Sequence, residues 1–489
     1  MSAAERHSAI GPNGRSTEGG GRDARPTKIM NTTVDQIREA IGRTREARER
    51  VWQHRTTDAV ITVLAQAAKN WLDPKSPWRQ RAVEQAPAPT GFSEAMVNEA
   101  VGLTFAAITR ESLGELLDRE LGNRRLLDEF CLRGRARTRA TGPRLIVHFL
   151  AGNVPAPGIV SMCCGWLLRS ANLVKFSTRD PVFPALFLES VRDLDAELAD
   201  CVATLQWPRS DLALTQTAVG DADAVIAYGD DHTISALRQL APPPVKFLGY
   251  GHKISFAVVA KEAMTEDNLP QLAHAAAFDA SVYDQQGCLS PHVFYVEERG
   301  QLGPRKFAAA MAEAMAAYQA RVPSGRLSVA EAAEVVKFRG GYEFAAASDP
   351  RIAVWTNPPG DAPTSPVAAV YDRRSSSPGG SRPVSSASGY AVIYDDSPVF
   401  MASCLNRTVF VKPTDGYKRV LDAIQKFAPS ISTVGVAPMN ERALAFANEL
   451  ARMGVSRVCP IGQMQRPPLT WHHDGRPNLA DLVNWTDLA

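Results

Sequence analysis

The stretch FDASVYDQQGCLSPHVFYVEE, residues 278–298, sets a single cysteine between a polar turn and an apolar run. Asp284, Gln285 and Gln286 precede Gly287 and Cys288, and His292 to Val296 alternates and β-branches like a strand entering a sheet. Glycine before the cysteine permits a sharp turn and leaves the thiol approachable. Structural cysteines favour apolar runs, where Cys163 and Cys164 stand in GIVSMCCGWLL. The polar setting of Cys288 suits a nucleophile, with a small core residue as the open alternative. His292 could assist thiolate formation or protonate an oxyanion; the plainer reading is a structural histidine on the outgoing strand.

Three further groupings could carry chemistry. In Gly152-Asn153-Val154-Pro155, a carboxamide at a strand end can aim its NH2 at developing negative charge, although Asn-X-Pro alone reads as a local turn. Lys175, with Ser177, Thr178 and Arg179, ends another strand, where a cation and hydroxyls can hold a dinucleotide's adenosine ribose or its 2′-phosphate. Tyr228-Gly229-Asp230-Asp231-His232-Thr233 runs from strand through glycine into a helix start. Asp230, Asp231 or Thr233 could cap that helix, or its amides could face a pyrophosphate. No GxGxxG accompanies these groups. The pair His472 and His473 in TWHHDG lacks a third nearby ligand, so no metal site is expected.

The elements that must hold these groups are legible in outline. Val34 to Leu72 and Ser93 to Leu121 show helical apolar stripes, with a Pro-rich linker at 85–91 between them. From Arg144 the character changes. LIVHFL (145–150), NLVKFST (172–178), ADAVIAYG (222–229) and VKFLGYG (245–251) read as strands, separated by helical segments that include GIVSMCCGWLLRSA, 185–198 and DHTISALRQLA. Continuous apolar strands alternating with helices predict a parallel, doubly wound sheet with ligands at the C-terminal strand ends. A strand at 256–260 leads into a second α/β region that holds Cys288.

With 489 residues the chain suits two or three domains, and its net charge of +2 with mixed signs gives no case for nucleic acid or a membrane surface. Seven scattered cysteines without a CxxC pair indicate neither zinc nor a disulfide framework, and a reducing cytoplasm fits them. No apolar stretch approaches the ~20 residues of a membrane helix. The expected division is a disordered tail at 1–30, a helical region at 31–140 and a dinucleotide-binding domain at 141–262. A catalytic domain at 263–460 with a flexible serine-rich loop at 373–389, and a C-terminal segment at 461–489, complete it.

Taken in order, Asn153, Lys175, Gly229 and Cys288 resemble the aldehyde dehydrogenase superfamily. AGNVP, DQQGCLSPH and RPPLTWHHDGRPNLADLV resemble more narrowly the LuxC-type acyl-CoA reductases, the fatty acid reductase component of bacterial bioluminescence and its relatives in non-luminous bacteria. The resemblance implies an aldehyde dehydrogenase-like α/β fold, with a Rossmann-type coenzyme domain beside an α/β catalytic domain, and assembly into a homo-oligomer. It makes Cys288 the acyl acceptor, Asn153 an oxyanion donor with the Cys288 amide, and Lys175 the ribose contact. It implies reduction of a long-chain acyl-CoA, or of an acyl group on a partner acyl-protein synthetase, to the aldehyde. Gly249 falls where hydrolytic members carry a glutamate base, and losing that base favours reduction over hydrolysis. Thr178 falls where NAD-preferring members carry a glutamate, so NADPH is expected to serve at least as well as NADH. The coenzyme contacts expected are then Lys175, Ser177, Thr178, Arg179, Gly229, Thr233 and Gly249. Three other functions stay open: a CoA-acylating dehydrogenase for a non-fatty acyl group, a cysteine acyltransferase and a non-catalytic scaffold.

Overall fold

The computed structural model describes residues 32–356 and 389–488. The expected tail at 1–30 and all but Gly389 of the 373–389 loop lie outside the described residues. Helices Val34–Val51, Thr57–Leu72, Glu94–Ala106 and Arg110–Leu121 each begin at a Thr or Ser whose side chain accepts a first-turn N–H, at Thr33, Thr56, Ser93 and Thr109. The stretch read as a linker is helical instead, as Pro77–Gln85 and Pro87–Thr90, because proline costs a helix nothing in its first turn. No helix among the described residues is long and apolar enough to cross a membrane.

A hairpin of β1 (Cys131–Arg133) and β2 (Ala136–Thr141) leads into five strands: β3 (Leu145–Phe149), β4 (Ala171–Lys175), β5 (Val202–Leu205), β6 (Ala224–Tyr228) and β7 (Lys246–Tyr250). These form a parallel sheet of order β5-β4-β3-β6-β7. The order reverses between β3 and β6, the place where open α/β sheets bind ligands. Alternate side chains fill opposite faces. Leu145, Val147 and Leu173 pack beneath Ile37 and Ile41 of the first helix, whereas Ile146, Val174 and Ile226 pack with Met162, Trp166 and Trp71. Short β5 and the hairpin were not legible: β5 has only its first residue buried, and β1 is half-exposed or exposed throughout.

The second sheet takes β8 (Ile254–Val259), β9 (Pro291–Glu297), β10 (Ile352–Thr356), β11 (Ala391–Asp395), β12 (Thr408–Thr414), β13 (Ile431–Ala437) and β14 (Arg457–Pro460), in the order β10-β11-β12-β9-β8-β13-β14. Only the β10–β11 pairing is antiparallel. Since β8 lies between β9 and β13, the chain changes sheets at Gly251–Lys253, ahead of the expected boundary at 262. Finally β15 (Asn484–Leu488) returns to pair with β2. The segment before it is clamped by Glu120, whose carboxylate accepts the N–H groups of Asn478, Leu479 and Ala480. Lys246 Nζ donates to Val483 O at 2.6 Å.

The turn before Cys288 is strained and firmly held. Tyr283, Asp284 and Gln285 all have positive φ, at 55°, 49° and 64°. Left-handed backbone costs a non-glycine residue about 1–2 kcal/mol. Arg407, fully buried at the head of β12, donates from Nε to Asp284 Oδ1 at 2.8 Å, and Gly325 N donates to Asp284 Oδ2 at 2.9 Å. Gln285 accepts from Thr408 N at 2.8 Å and donates to Pro291 O at 2.9 Å. Replacing Arg407 by Leu strands the Asp284 charge in the interior and should lower unfolding free energy by about 3–5 kcal/mol. Urea titration reads this as an earlier midpoint at unchanged slope. A loss below ~1 kcal/mol would show that this pair does not hold the turn.

Candidate active site

Cys288 ends the strained turn where the two sheets meet. Its carbonyl accepts from Ser255 Oγ of β8 at 2.7 Å, and Ser255 Oγ accepts in turn from Thr433 N of β13 at 3.2 Å. From the other sheet, Asn153 follows β3 and donates from Nδ2 to Gln286 O at 2.9 Å. The carboxamide therefore reaches the cysteine turn across the switch point. Gly152 is required there, because a Cβ would come within 2.5 Å of Ser177 Oγ and 2.8 Å of Arg179 Cβ. A cleft of about 490 Å³ opens at this junction, between Phe92, Asn153, Arg179, Gln286, Arg326 and Asn406.

Cys288 is half-buried. Burial, reinforced by the Asp474 carboxylate, pushes its thiol up to about 12 against the opposing pull of nearby backbone N–H groups and Lys253. His292 is buried on β9, and its Nδ1 accepts the Ser403 N–H at 3.1 Å while lying 3.1 Å from Ser403 Oγ. Burial, then the neighbouring His252, lowers it to about 4. Its hydrogen bonds run to Ser403, which gives it a neutral, structural setting.

At the coenzyme end, Lys175 terminates β4 half-buried, with its ammonium lowered by burial and by Arg209. Ser177 Oγ accepts Arg179 N at 3.2 Å, and Thr178 is exposed. Arg179 pairs at the surface with Glu331 at 3.4 Å, a carboxylate from helix Val329–Ala346 that no local pattern could reveal. Asp180, the carboxylate next along the chain, is buried, and Phe183 N donates to it at 3.3 Å. Beyond Gly229, Asp230 caps helix Asp231–Leu240 by accepting Thr233 N at 2.6 Å, and Asp231 accepts His252 N at 2.9 Å. Arg209, from the loop after the unread β5, reaches Asp230 at 3.4 Å and Thr233 Oγ1 at 3.3 Å. It stands beside Lys175 as a second cation that the sequence did not single out.

Gly249 lies within β7. A Cβ there would meet Ile234 Cγ2 at 2.6 Å and Phe247 Cε1 at 2.8 Å, so a side chain at this position points into the apolar layer under the sheet. Introducing a glutamate would strain that layer before it could supply a base.

A protein-family model described as acyl-CoA reductase (LuxC) matches residues 53–355 and 377–485. A long-chain acyl-protein thioester reductase of Aliivibrio fischeri is 24% identical over 431 residues, covering 87% of this chain and 81% of that one. One of Vibrio harveyi is 28% identical over 240 residues, 48% of this chain and 50% of that one. Among solved structures, lactaldehyde dehydrogenase from Escherichia coli aligns with a TM-score of 0.63 at 14% identity, covering 94% of this chain and 91% of that one. An NAD-dependent benzaldehyde dehydrogenase from Corynebacterium glutamicum aligns with a TM-score of 0.61 at 12% identity, covering 94% and 91%. The two-sheet architecture is thus that of the aldehyde dehydrogenases, and the chain belongs to the acyl-CoA reductase (LuxC) family.

Proposed function

We propose that this protein reduces a long-chain fatty acyl thioester, carried on CoA or on a partner protein's thiol, to the aldehyde with NADPH through an acyl group on Cys288. The observation that carries the reading is the Asn153 amide reaching the cysteine turn across the domain junction. Cys288 Sγ attacks the thioester carbon, and the Asn153 amide with the Cys288 N–H donates to the oxyanion as the donor thiol leaves. NADPH, when bound, supplies hydride to the acyl carbon. The same two donors hold the oxygen again until the C–Sγ bond breaks and the aldehyde departs. With its Nδ1 engaged by Ser403, His292 holds a structural place here and is not a proton carrier.

The residues at the β4 end fit a coenzyme carrying a 2′-phosphate. Lys175 and Arg209 supply two cations and Thr178 adds no charge. Ser177, Gly229 and Thr233 line the same strand ends, and Gly249 lies one residue inside β7. Arg179 and Arg209 each hold an exposed ion pair at 3.4 Å, to Glu331 and Asp230, which a phosphate would displace, so the contact is assigned to Lys175 with these two arginines beside it. Seven unpaired cysteines fit a reducing cytoplasm. The unpaired outer edge of β1 is consistent with assembly of like chains.

Incubation with labelled acyl-CoA and no nicotinamide should leave the label on Cys288, stable to mild acid and released by hydroxylamine. Cys288→Ser should abolish aldehyde formation, while Cys163→Ser and Cys164→Ser, buried in helix Gly158–Leu167, keep most of it. Label on another cysteine would sink the assignment.

Arg209→Ala should raise the KM for NADPH about tenfold, the worth of one charge-assisted phosphate contact, and that for NADH less than about twofold. Thr178→Glu should move the same ratio in the same direction. Equal effects on both coenzymes would show that this strand end does not read the ribose.

A further inference from the structure

Three cations stand near the end of β4, and the two arginines are paired differently. Arg209 pairs with Asp230, which follows β6 of the same sheet. Arg179 reaches out of that sheet. Its Nη2 donates to Glu331 Oε1 at 3.4 Å, and Glu331 lies in the first turn of helix Val329–Ala346, between β9 and β10 of the second sheet. Both residues line the cleft of about 490 Å³ that also touches Asn153 and Gln286. The pair therefore ties one wall of the cleft to the other.

The two ends of this tie are held unequally. Glu331 Oε2 accepts Ser328 N at 2.9 Å, and Glu331 N donates to Ser328 Oγ at 3.2 Å, a closed capping box. The residues leading into the cap are fixed as well. Arg326 N donates to Gly91 O at 2.6 Å, and Gly325 N donates to the buried Asp284 of the cysteine turn at 2.9 Å. Arg179 instead sits on the loop after β4, where Ser177 Oγ accepts its backbone N–H at 3.2 Å. Its side chain is 64% exposed against 42% for Glu331, and 3.4 Å lies beyond the usual N–H···O range. An exposed pair of this kind gives way easily, and the end that moves is the arginine.

A phosphate offers that guanidinium a better partner, since two parallel N–H···O bonds replace one long one. Glu331, held by its cap, stays in the cleft wall and meets the incoming anion as a like charge. We propose that Glu331 is a positioning residue for coenzyme choice, holding Arg179 across the empty cleft and yielding it to the coenzyme's 2′-phosphate. The inference rests on the 2′-phosphate reading above. Each binding event exchanges one ion pair for another, so the phosphate gains less than an unpaired arginine would give it. The exchange reverses on release, when Glu331 reclaims Arg179 from the oxidised coenzyme. Discrimination between the two coenzymes is thus adjusted by a carboxylate that bonds to neither.

Glu331→Gln tests this, because glutamine closes the same capping box and removes only the charge. Fluorescence quenching gives dissociation constants for NADPH and NADH in the unaltered protein, Glu331→Gln, Arg179→Ala and the double variant. Freeing Arg179 should tighten NADPH about fourfold, the scale of one exposed ion pair, and NADH by less than about 1.5-fold. In the Arg179→Ala background the same glutamine should shift NADPH by less than about twofold. No tightening, equal tightening of both coenzymes, or a gain that persists in full without Arg179 overturns the exchange. A native preference for NADH fells the 2′-phosphate reading and the exchange with it. A native preference for NADPH that ignores Glu331→Gln fells the exchange alone.

Discussion

Everything at the cysteine turn depends on three consecutive left-handed residues being held in place by buried charge. Tyr283, Asp284 and Gln285 store roughly 3–6 kcal/mol of backbone strain. The ion pair to Arg407 and the paired amide of Gln285 offset it only while β12 keeps its register with β9. Opposite them, Leu405, Asn406 and Arg407 are themselves left-handed, at φ of 61°, 54° and 58°. Two strained runs thus brace each other. Asn406 completes the brace by accepting from Gln286 Nε2 at 2.9 Å and by its carbonyl, which accepts from Arg339 at 2.6 Å. Rigidity of this kind lets a cysteine carbonyl, a serine hydroxyl and a remote asparagine keep their relative positions without a ligand present.

The electrostatics divide cleanly between the two ends of the site. The coenzyme end is cationic and wet, with Lys175, Arg179 and Arg209 close together and carboxylates already spent on caps or ion pairs. The thiol end is more buried, and among the described residues Asp474 Oδ1 lies there without a hydrogen-bond partner. A charge of either sign is attenuated at the first end and magnified at the second, since desolvation removes the water that would otherwise screen it. Coenzyme affinity should therefore vary with salt, whereas chemistry at the thiol should not.

How much of this was readable follows from the physics of each residue. The strands β3, β4 and β6 are buried on both faces or nearly so, and continuous apolar runs announce such strands; half-buried β7 shows through its apolar Phe247, Leu248 and Tyr250. Asn153 and Cys288 lay in turns whose polarity departs from their surroundings, so composition alone singled them out. Arg209, Glu331 and Asp474 could not be found that way. Each acts through a neighbour far off in the chain, and β5, which delivers Arg209, is too short and too exposed to show a pattern. In TWHHDG the histidines drew notice as ligand types, yet His473 serves as a stacking ring.

The clamp on the C-terminal segment bears on how the protein is made. Glu120 holds the backbone at 478–480, and Lys246 holds Val483, so residues 471–474 are tethered to elements formed much earlier in the chain. A ribosome delivers both sheets, the strained turn and Cys288 before it delivers Asp474. A nascent chain can therefore present both folded sheets while the ends of β6 and β7 still lack their covering rings. Until Trp471 and His473 dock, Tyr228 and Tyr250 are left without their stacking partner, and a chaperone that shields apolar rims would have its natural substrate in this half-finished state.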